Sequence, residues 1–379
     1  MKIFVPKEQD AGEPRVPMIP SVAGALVRMG LEMAVESGLG AGIHAADDQY
    51  AQAGARIAGD RAAAFGEADL VLRLRPPSSG EVSSLRRGLI HVSYLDPFNN
   101  RPLVEALAAA GVSAVSMEMI PRTTLAQKMD ALSSQASLGG YVAVLMAAER
   151  LPKILPMMMT PAGTLTPARV FIIGAGVAGL QAIATARRLG ARVEAFDTRP
   201  VVKEQVQSLG AKFIEVDLGE TGQTKDGYAK ALTEEQLARQ REAMAKCCAD
   251  ADVVITTAQV FGRKAPRIVT ADMLRGMRPG SVVVDMAVET GGNVEGSVLN
   301  RETDIAGVRV LGFGNLPGRV PSAASQMYAS NLAAFVEHFW DKKEKIFRLN
   351  RDDEILKGSL LTHDGAVVNE TLRQAWGLA

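Results

Sequence analysis

The stretch that most constrains the fold of this chain is VFIIGAGVAGLQAIATARRLGARVEAFDTRP, residues 170–200. Three glycines, Gly174, Gly176 and Gly179, follow an apolar run and open an alanine-rich segment. Asp197 comes 18 residues after the third glycine (197 − 179). This order predicts a strand, a tight turn, a helix and a second strand that ends in an acid, which is the pattern of a dinucleotide-binding unit.

Each glycine of this pattern has its own physical task. Gly174 permits the tight turn, Gly176 lets the backbone approach a pyrophosphate, and Gly179 lets the helix pack closely on the strand. The N-terminus of the helix then offers N–H groups and the positive end of its dipole to the phosphates.

Asp197 predicts which dinucleotide is bound. A carboxylate at the end of the second strand accepts hydrogen bonds from the adenosine ribose and repels a 2′-phosphate, which favours NAD(H) over NADP(H). Arg199 argues against this preference, because a nearby arginine can bind that phosphate. Alternatively, Arg199 is a surface charge with no role in binding. We expect the site to include further residues beside the fingerprint and at the end of the run ADVVITTA: Ala175, Val177, Thr198, Thr257 and Ala258.

A chain of 379 residues predicts two domains. Strand-like runs alternate with helix-like runs in both halves, which predicts an α/β fold with two doubly wound, Rossmann-like sheets. Residues 132–150 predict one long connecting helix, capped near Ser133 or Ser134, and residues after 321 predict another that returns to the first domain. The expected domains are 1–132 with 319–379, and 133–318. The tail predicts a hairpin around Asp364 and Gly365.

Composition excludes several classes of function. The formal net charge is +0 and no basic cluster indicates nucleic-acid binding. The two cysteines, Cys247 and Cys248, are adjacent, which suits reduced thiols and does not suit a zinc site, so no metal is expected. No apolar run approaches the ~18 residues that span a bilayer, so any membrane role is expected to belong to another chain.

The polar segment Gly219–Gln240 interrupts the strand pattern and is predicted to be a loop. Two interpretations stay open: a solvated insertion, or a lid that closes through Tyr228.

The catalytic inventory is sparse. The four histidines, His44, His91, His338 and His363, have no obvious carboxylate partner in the sequence, and His91 lies inside an apolar strand. The densest polar cluster follows the last strand of the first domain, in MEMIPRTTLAQKMDALSSQ, and comprises Arg122, Gln127, Asp130 and Ser133. Asp130 or Ser133 could instead be a helix cap.

Longer motifs extend the interpretation to the whole chain. The segments PRTTLAQKMDALSSQASLGGY, PMMMTPAGTLTPARVFIIGAGVAGLQAIATARRLGA, RPVVKEQVQSLGAKF, DMAVETGGN and NLPGRVPSAAS together resemble the NAD(H)-binding components of proton-translocating nicotinamide nucleotide transhydrogenases. The resemblance implies a homodimer with NAD(H) in the cleft between two α/β domains. It also implies two partners: an NADP(H)-binding component and a membrane-spanning subunit, with this chain on the cytoplasmic face of the membrane.

The resemblance also implies residue roles. Gly174, Gly176 and Gly179 would carry the pyrophosphate and Asp197 the ribose, while Tyr228 would be the tip of a mobile loop. Arg122, Asp130 and Ser133 would position the nicotinamide, and Gln127 would reach toward the NADP(H) on the partner. Direct hydride transfer between two nicotinamides moves no alcohol or amine proton, so the lack of a general base fits this chemistry.

Two alternatives remain from the sequence. Alanine dehydrogenase shares the fold, and its family uses a lysine and a histidine for substrate; this chain has Arg73 and Arg75 at the lysine segment and Asp96 at the histidine position, with His91 offset. A non-catalytic NAD-sensing module is the other alternative.

Overall fold

The computed structural model describes residues 1–217, 219 and 233–378. The chain divides into two compact units, Met1–Gln135 with Gly318–Ala379, and Ala136–Pro317.

The first unit is built on a sheet of eight described strands, most of them parallel. Successive residues of its central strand enter opposite cores: Ile3 and Val5 pack in one cluster, and Phe4 packs in the other. Apolar groups on both faces explain why the strands read as continuous apolar runs. The strands, in spatial order, are Ala366–Val367, Leu360–His363, Ser113–Ser116, Ile90–Ser93, Leu70–Leu72, Lys2–Val5, Glu32–Glu36 and Arg56–Ala58.

Helices cover both faces of this sheet. The returning helix, Pro321–Phe339, places Tyr328, Leu332 and Phe335 in the same core as Ile3. The tail forms the predicted hairpin, which adds two antiparallel strands to the sheet edge. The α-helices of this unit, apart from the first turn of the connecting helix, are Pro20–Arg28, Asp47–Gln52, Arg61–Glu67, Ser79–Val82, Arg101–Ala109, Pro321–Phe339, Glu354–Ser359 and Glu370–Ala375.

His91 is a core residue of this sheet, as its position in an apolar strand predicts. The side chain is fully buried, and Nε2 lies 3.0 Å from the Ser93 hydroxyl. Burial, reinforced by the nearby Arg73 guanidinium, lowers the pKa of His91 to about 3. The imidazole is therefore neutral at physiological pH.

This lowered pKa predicts a specific acid sensitivity. As the pH falls below the ordinary histidine pKa, the unfolded chain protonates His91 while the folded chain does not, until the pH approaches the lowered pKa. Over that range, protonation of His91 in the unfolded chain should raise the unfolding equilibrium constant about tenfold for each unit by which the pH falls. His91→Gln keeps a donor near Ser93 and removes this titration. Urea unfolding between pH 7 and pH 4 should show a shallower loss of stability in the variant, and equal pH slopes would contradict the assignment.

The second unit is built on a sheet with the dinucleotide-binding strand order. Numbered along the chain, its six parallel strands run 3-2-1-4-5-6, and one antiparallel strand adds to the edge. Between strands 1 and 4 the order reverses, and ligands of such sheets bind at the carboxyl ends there. The strands, in spatial order, are Lys212–Phe213, Arg192–Phe196, Arg169–Ile173, Val253–Thr256, Val282–Asp285, Val308–Gly312 and Arg301–Ile305.

The prediction of a loop over residues 219–240 is wrong for the C-terminal end of this segment. A helix, Glu234–Asp250, already occupies its last residues. Thr233 and Gln236 form a capping box, in which each side chain accepts a hydrogen bond from the other residue's backbone N–H. Tyr228 and the lid interpretation lie outside the described residues. The other α-helices of this unit are Val177–Arg188, Lys203–Ser208 and Ala271–Arg275.

The predicted connecting helix spans Ala131–Arg150. Its cap is Asp130 rather than Ser133 or Ser134, because the Asp130 carboxylate accepts the backbone N–H of Ser133 at 2.9 Å. By length and composition alone this helix could cross a membrane, contrary to the sequence expectation, but half of its apolar window is buried within the structure. A core helix of a globular domain has the same properties.

Candidate functional site

The glycine turn has the backbone that its sequence predicts. Gly174 follows the strand Arg169–Ile173 with φ of +98°, a conformation that side chains rarely adopt. The helix Val177–Arg188 then begins with Gly176 as its N-cap residue. A Cβ on Gly179 would lie 1.9 Å from the Gly174 carbonyl oxygen, so only glycine lets this helix pack so closely on the turn.

Gly176 differs from Gly174 and Gly179 because the protein leaves open space where a Cβ would stand. An added Cβ would meet one heavy atom within 4 Å, the Arg199 Nη2 at 3.8 Å. The residue also has an ordinary φ of −75°. Neither strain nor internal packing therefore requires glycine here, and the open space fits the close approach of a pyrophosphate to the backbone.

Asp197, at the end of the second strand, ties the turn to Arg199. Its Oδ2 accepts the backbone N–H of Ala175 at 2.8 Å and the Arg199 Nη2 at 2.7 Å. Its Oδ1 accepts the backbone N–H and Nε of Arg199, each at 2.9 Å. The Asp197 side chain is only 6% exposed and that of Arg199 15%. The hydrogen bond to Asp197 is the main cause that raises the pKa of Arg199.

Thr257 and Ala258 form the wall of the turn on its other side. The Thr257 hydroxyl donates to the Gly174 carbonyl oxygen at 3.0 Å. The buried Asn293 side chain binds both backbone groups of Ala258, accepting from its N–H at 3.1 Å and donating to its carbonyl at 2.8 Å. This two-way bond holds the wall in place.

Asn293 is in turn positioned by Asp285, at the end of the strand Val282–Asp285. The fully buried Asp285 carboxylate accepts the backbone N–H groups of Ala287, Asn293 and Val294, at 3.0, 3.1 and 3.2 Å. Sequence reasoning did not assign roles to Asp285 and Asn293. The available signal was the segment DMAVETGGN, a strand that ends in an acid and is followed by glycines and an asparagine.

The connecting helix also approaches the glycine turn within the second unit. A Cβ on Gly140 would lie 2.1 Å from the Ala178 carbonyl oxygen, in the first turn of the helix Val177–Arg188. Gly140 therefore permits close packing against the helix whose N-terminus is the predicted pyrophosphate site, and the sequence alone did not indicate this role.

The polar cluster of the first unit extends from a loop through the short 3₁₀ helix Gln127–Met129 to the start of the helix Ala131–Arg150. Arg122 and Gln127 are exposed, and buried Ala126 and Met129 anchor the loop in the core. Asp130 accepts both the backbone N–H and the hydroxyl of Ser133, at 2.9 and 2.5 Å. Asp130 therefore caps the helix Ala131–Arg150 in this structure. Any contact of Asp130 with a nicotinamide stays a prediction.

Asn331 of the returning helix holds this loop at its far end. Its Nδ2 donates to the Lys128 carbonyl at 2.8 Å, and its Oδ1 accepts the Ser134 hydroxyl at 2.8 Å. Sequence reasoning missed Asn331, because nothing near it in the chain shows that the helix Pro321–Phe339 packs on this loop.

The predicted site residues therefore fall into separate groups. The second unit brings together the residues of the turn, the strand end and the wall: Gly174, Ala175, Gly176, Val177, Gly179, Asp197, Thr198, Arg199, Thr257 and Ala258. Arg122, Gln127, Asp130 and Ser133 belong to the first unit, and Tyr228 lies outside the described residues. Within residues 1–217, 219 and 233–378, no group of three or more His, Cys, Asp or Glu side chains could hold a metal ion.

Comparisons with known proteins cover the whole chain. The family model "Alanine dehydrogenase/PNT, N-terminal domain" matches residues 4–139, and "Alanine dehydrogenase/PNT, C-terminal domain" matches residues 143–370. A Rhodospirillum rubrum protein, named as the first part of NAD(P) transhydrogenase subunit alpha, is 44% identical over 98% of this chain and 99% of its own length. A crystal structure of transhydrogenase from Sinorhizobium meliloti superimposes with a TM-score of 0.87 and 46% identity, covering 97% of this chain and 100% of that one. An L-alanine dehydrogenase structure superimposes with a TM-score of 0.84 and 26% identity over 100% of both chains.

Proposed function

The chain belongs to the alanine dehydrogenase/PNT family, and from that premise we propose that it is the NAD(H)-binding component of a proton-translocating NAD(P)⁺ transhydrogenase of the Re/Si-specific type. The observation that carries the proposal is full-length identity. The chain is 46% identical to a transhydrogenase crystal structure but 26% identical to an L-alanine dehydrogenase structure, over 97% and 100% of this chain.

The second unit supplies groups that suit the adenosine half of NAD(H). The turn at Gly176 accommodates the pyrophosphate, the start of the helix Val177–Arg188 offers N–H groups to it, and Asp197 receives the ribose hydroxyls. When bound, NAD(H) supplies or accepts the hydride. Thr257 and Ala258 keep the turn in shape, because Thr257 bonds to Gly174 and Asn293 fixes Ala258.

The first-unit loop is assigned to the hydride-transfer step. Arg122, Asp130 and Ser133 orient the nicotinamide and its carboxamide, and Gln127 reaches the NADP(H) of the partner component. Exchange between two nicotinamides needs their two rings to be held in a fixed orientation, and positioned polar groups provide that. This chain therefore needs no general base and turns over only with its partners.

The structure of the first unit disfavours the alanine dehydrogenase alternative. Arg73 is buried and paired with Glu8 and Glu81, at 3.4 and 3.1 Å, and Arg75 lies 2.8 Å from Glu13. His91 is buried, and its low pKa prevents it from carrying a proton near neutral pH. We expect no turnover of pyruvate, ammonium and NADH. Turnover in that assay would favour the dehydrogenase.

The role proposed for Gln127 has its own test. Gln127→Asn shortens the side chain by one methylene, so hydride exchange with a partner component should slow by about 10- to 100-fold, since a small misplacement of a positioning group costs that much. NADH affinity, measured by titration of its fluorescence, should stay within about threefold. Gln52→Asn, at another exposed glutamine of the same unit, is the matched control. A large loss of NADH binding would instead place Gln127 in the NAD(H) site itself.

We propose a homodimer, held at the cytoplasmic face of the membrane through an NADP(H)-binding component and a membrane-spanning subunit. The two-stranded hairpin Met158–Thr160 with Gly163–Leu165 supports a protein contact, because the large apolar side chains of Met157, Met159 and Leu165 are exposed on and beside it. Sedimentation should give a dimer for the native chain and a monomer for Met159→Lys with Leu165→Lys. A native monomer at micromolar concentration would contradict this.

A further inference from the structure

Arg199 stands at the point where the two dinucleotides differ. A 2′-phosphate on the adenosine ribose would meet the residues that receive the ribose hydroxyls, and Asp197 is the acid expected there. Arg199 is two residues away, and its guanidinium also lies beside the open space at Gly176. Arginine is the side chain best suited to bind a phosphate through two hydrogen bonds.

The observed geometry changes how Asp197 can discriminate. Its two oxygens already accept four donors, three of them from Arg199, which fills the acceptor capacity of a carboxylate. Because the guanidinium lies 2.7 Å away, the pair is close to electrically neutral. A neutral pair repels a phosphate weakly, so the charge of Asp197 alone does not explain a preference for NAD(H).

We propose that Asp197 excludes a 2′-phosphate by holding Arg199 in an ion pair, so that Arg199 is a latent phosphate-binding residue. This inference rests on the proposed NAD(H) site and explains how that site distinguishes NAD(H) from NADP(H). Ribose hydroxyls donate hydrogen bonds and can take the place of the Arg199 donors on Asp197. A 2′-phosphate offers only acceptors to that carboxylate at neutral pH, so it must draw the guanidinium away from Asp197 and leave the carboxylate uncompensated.

The two residues should therefore act as a unit in NADPH binding. Asp197→Asn keeps the shape and one acceptor for the Ala175 N–H, but removes the negative charge that pairs with the Arg199 guanidinium. We expect NADPH affinity to rise about tenfold or more, the range of a charged hydrogen bond. In Asp197→Asn with Arg199→Ala this gain should vanish. Arg199→Ala alone should weaken NADPH binding further, because Asp197 then faces the phosphate unpaired.

The experiment is a double-mutant cycle on the full-length chain. Dissociation constants for NADH, NADPH, ADP-ribose and 2′-phospho-ADP-ribose are measured by calorimetry for the four proteins, with thermal unfolding to verify folding. Arg192→Ala, at the start of the same strand and exposed, removes an equal charge as the matched control and should leave NADPH affinity unchanged.

The possible outcomes distinguish the role proposed for Arg199 from the NAD(H) site itself. If the double variant binds NADPH as tightly as Asp197→Asn, or if Arg199→Ala alone strengthens NADPH binding, the assignment of Arg199 is overturned while the NAD(H) site stands. If the native chain binds neither NADH nor ADP-ribose, the proposed NAD(H) site is wrong, and so is the role proposed for Asp197 and Arg199.

Discussion

Gly176→Ala is expected to weaken NADH binding by about 5- to 150-fold without harming the fold. The added methyl group meets only open space in the protein, with Arg199 Nη2 as its nearest neighbour at 3.8 Å, and the backbone φ is ordinary. The methyl group would, however, stand where the pyrophosphate approaches the turn, and overfilling a tight site costs about 1–3 kcal/mol. Calorimetric titration with NADH and a thermal unfolding curve provide the two readouts.

Two matched variants make this result specific. Gly276→Ala, at an exposed glycine of the same unit with ordinary φ, should bind NADH normally. Gly179→Ala should lose stability as well as binding, because its Cβ would lie 1.9 Å from the Gly174 carbonyl oxygen. Normal NADH affinity in Gly176→Ala would show that no pyrophosphate lies against this turn.

Asp285→Ala is expected to lower the free energy of unfolding by at least about 3 kcal/mol, since each buried donor left without a partner costs about 1–3 kcal/mol. Three buried backbone N–H groups, those of Ala287, Asn293 and Val294, lose their acceptor in this variant. NADH binding should weaken too, since Asn293 loses the contact that positions it against Ala258. Urea unfolding at pH 7 measures the loss of stability.

Asp304→Ala is the matched control for this prediction. Asp304 is exposed and accepts one backbone N–H, from Gly307 at 2.9 Å. The loss of this exposed contact should cost less than about 1 kcal/mol. An Asp285→Ala variant as stable as this control would mean that the carboxylate does not organise the segment after the strand Val282–Asp285.

The fold class was predictable because the strongest patterns are local. The run from Val170 to Pro200 contains its own strand, turn, helix and acid, so its structure follows from neighbouring residues, and the predicted α/β class with two Rossmann-like sheets is confirmed. Strands missed by the sequence reasoning are polar or very short. Arg301–Ile305 lies at a sheet edge with most residues exposed, and Arg56–Ala58 has three residues. Neither shows the apolar run that marks a buried strand.

The site was less predictable because its supports come from distant parts of the chain. Asn293 reaches Ala258 across 35 residues, and Asn331 reaches Lys128 across 203. Spacing within a motif cannot reveal such contacts. Asp130 shows the converse difficulty: a polar residue in the right segment caps a helix in this structure, so its proximity to a predicted site does not by itself establish a role in the chemistry.

The central claim is that this chain carries NAD(H) for hydride exchange with a partner that carries NADP(H). Hydride transfer from NADPH to an NAD analogue with shifted absorbance tests it most directly, with the chain alone and with the NADP(H)-binding component of a related transhydrogenase. The account predicts transfer only in the mixture. Absence of transfer with a partner that is active with its own NAD(H)-binding component, while this chain binds the analogue, would contradict the account and favour an NAD-sensing module.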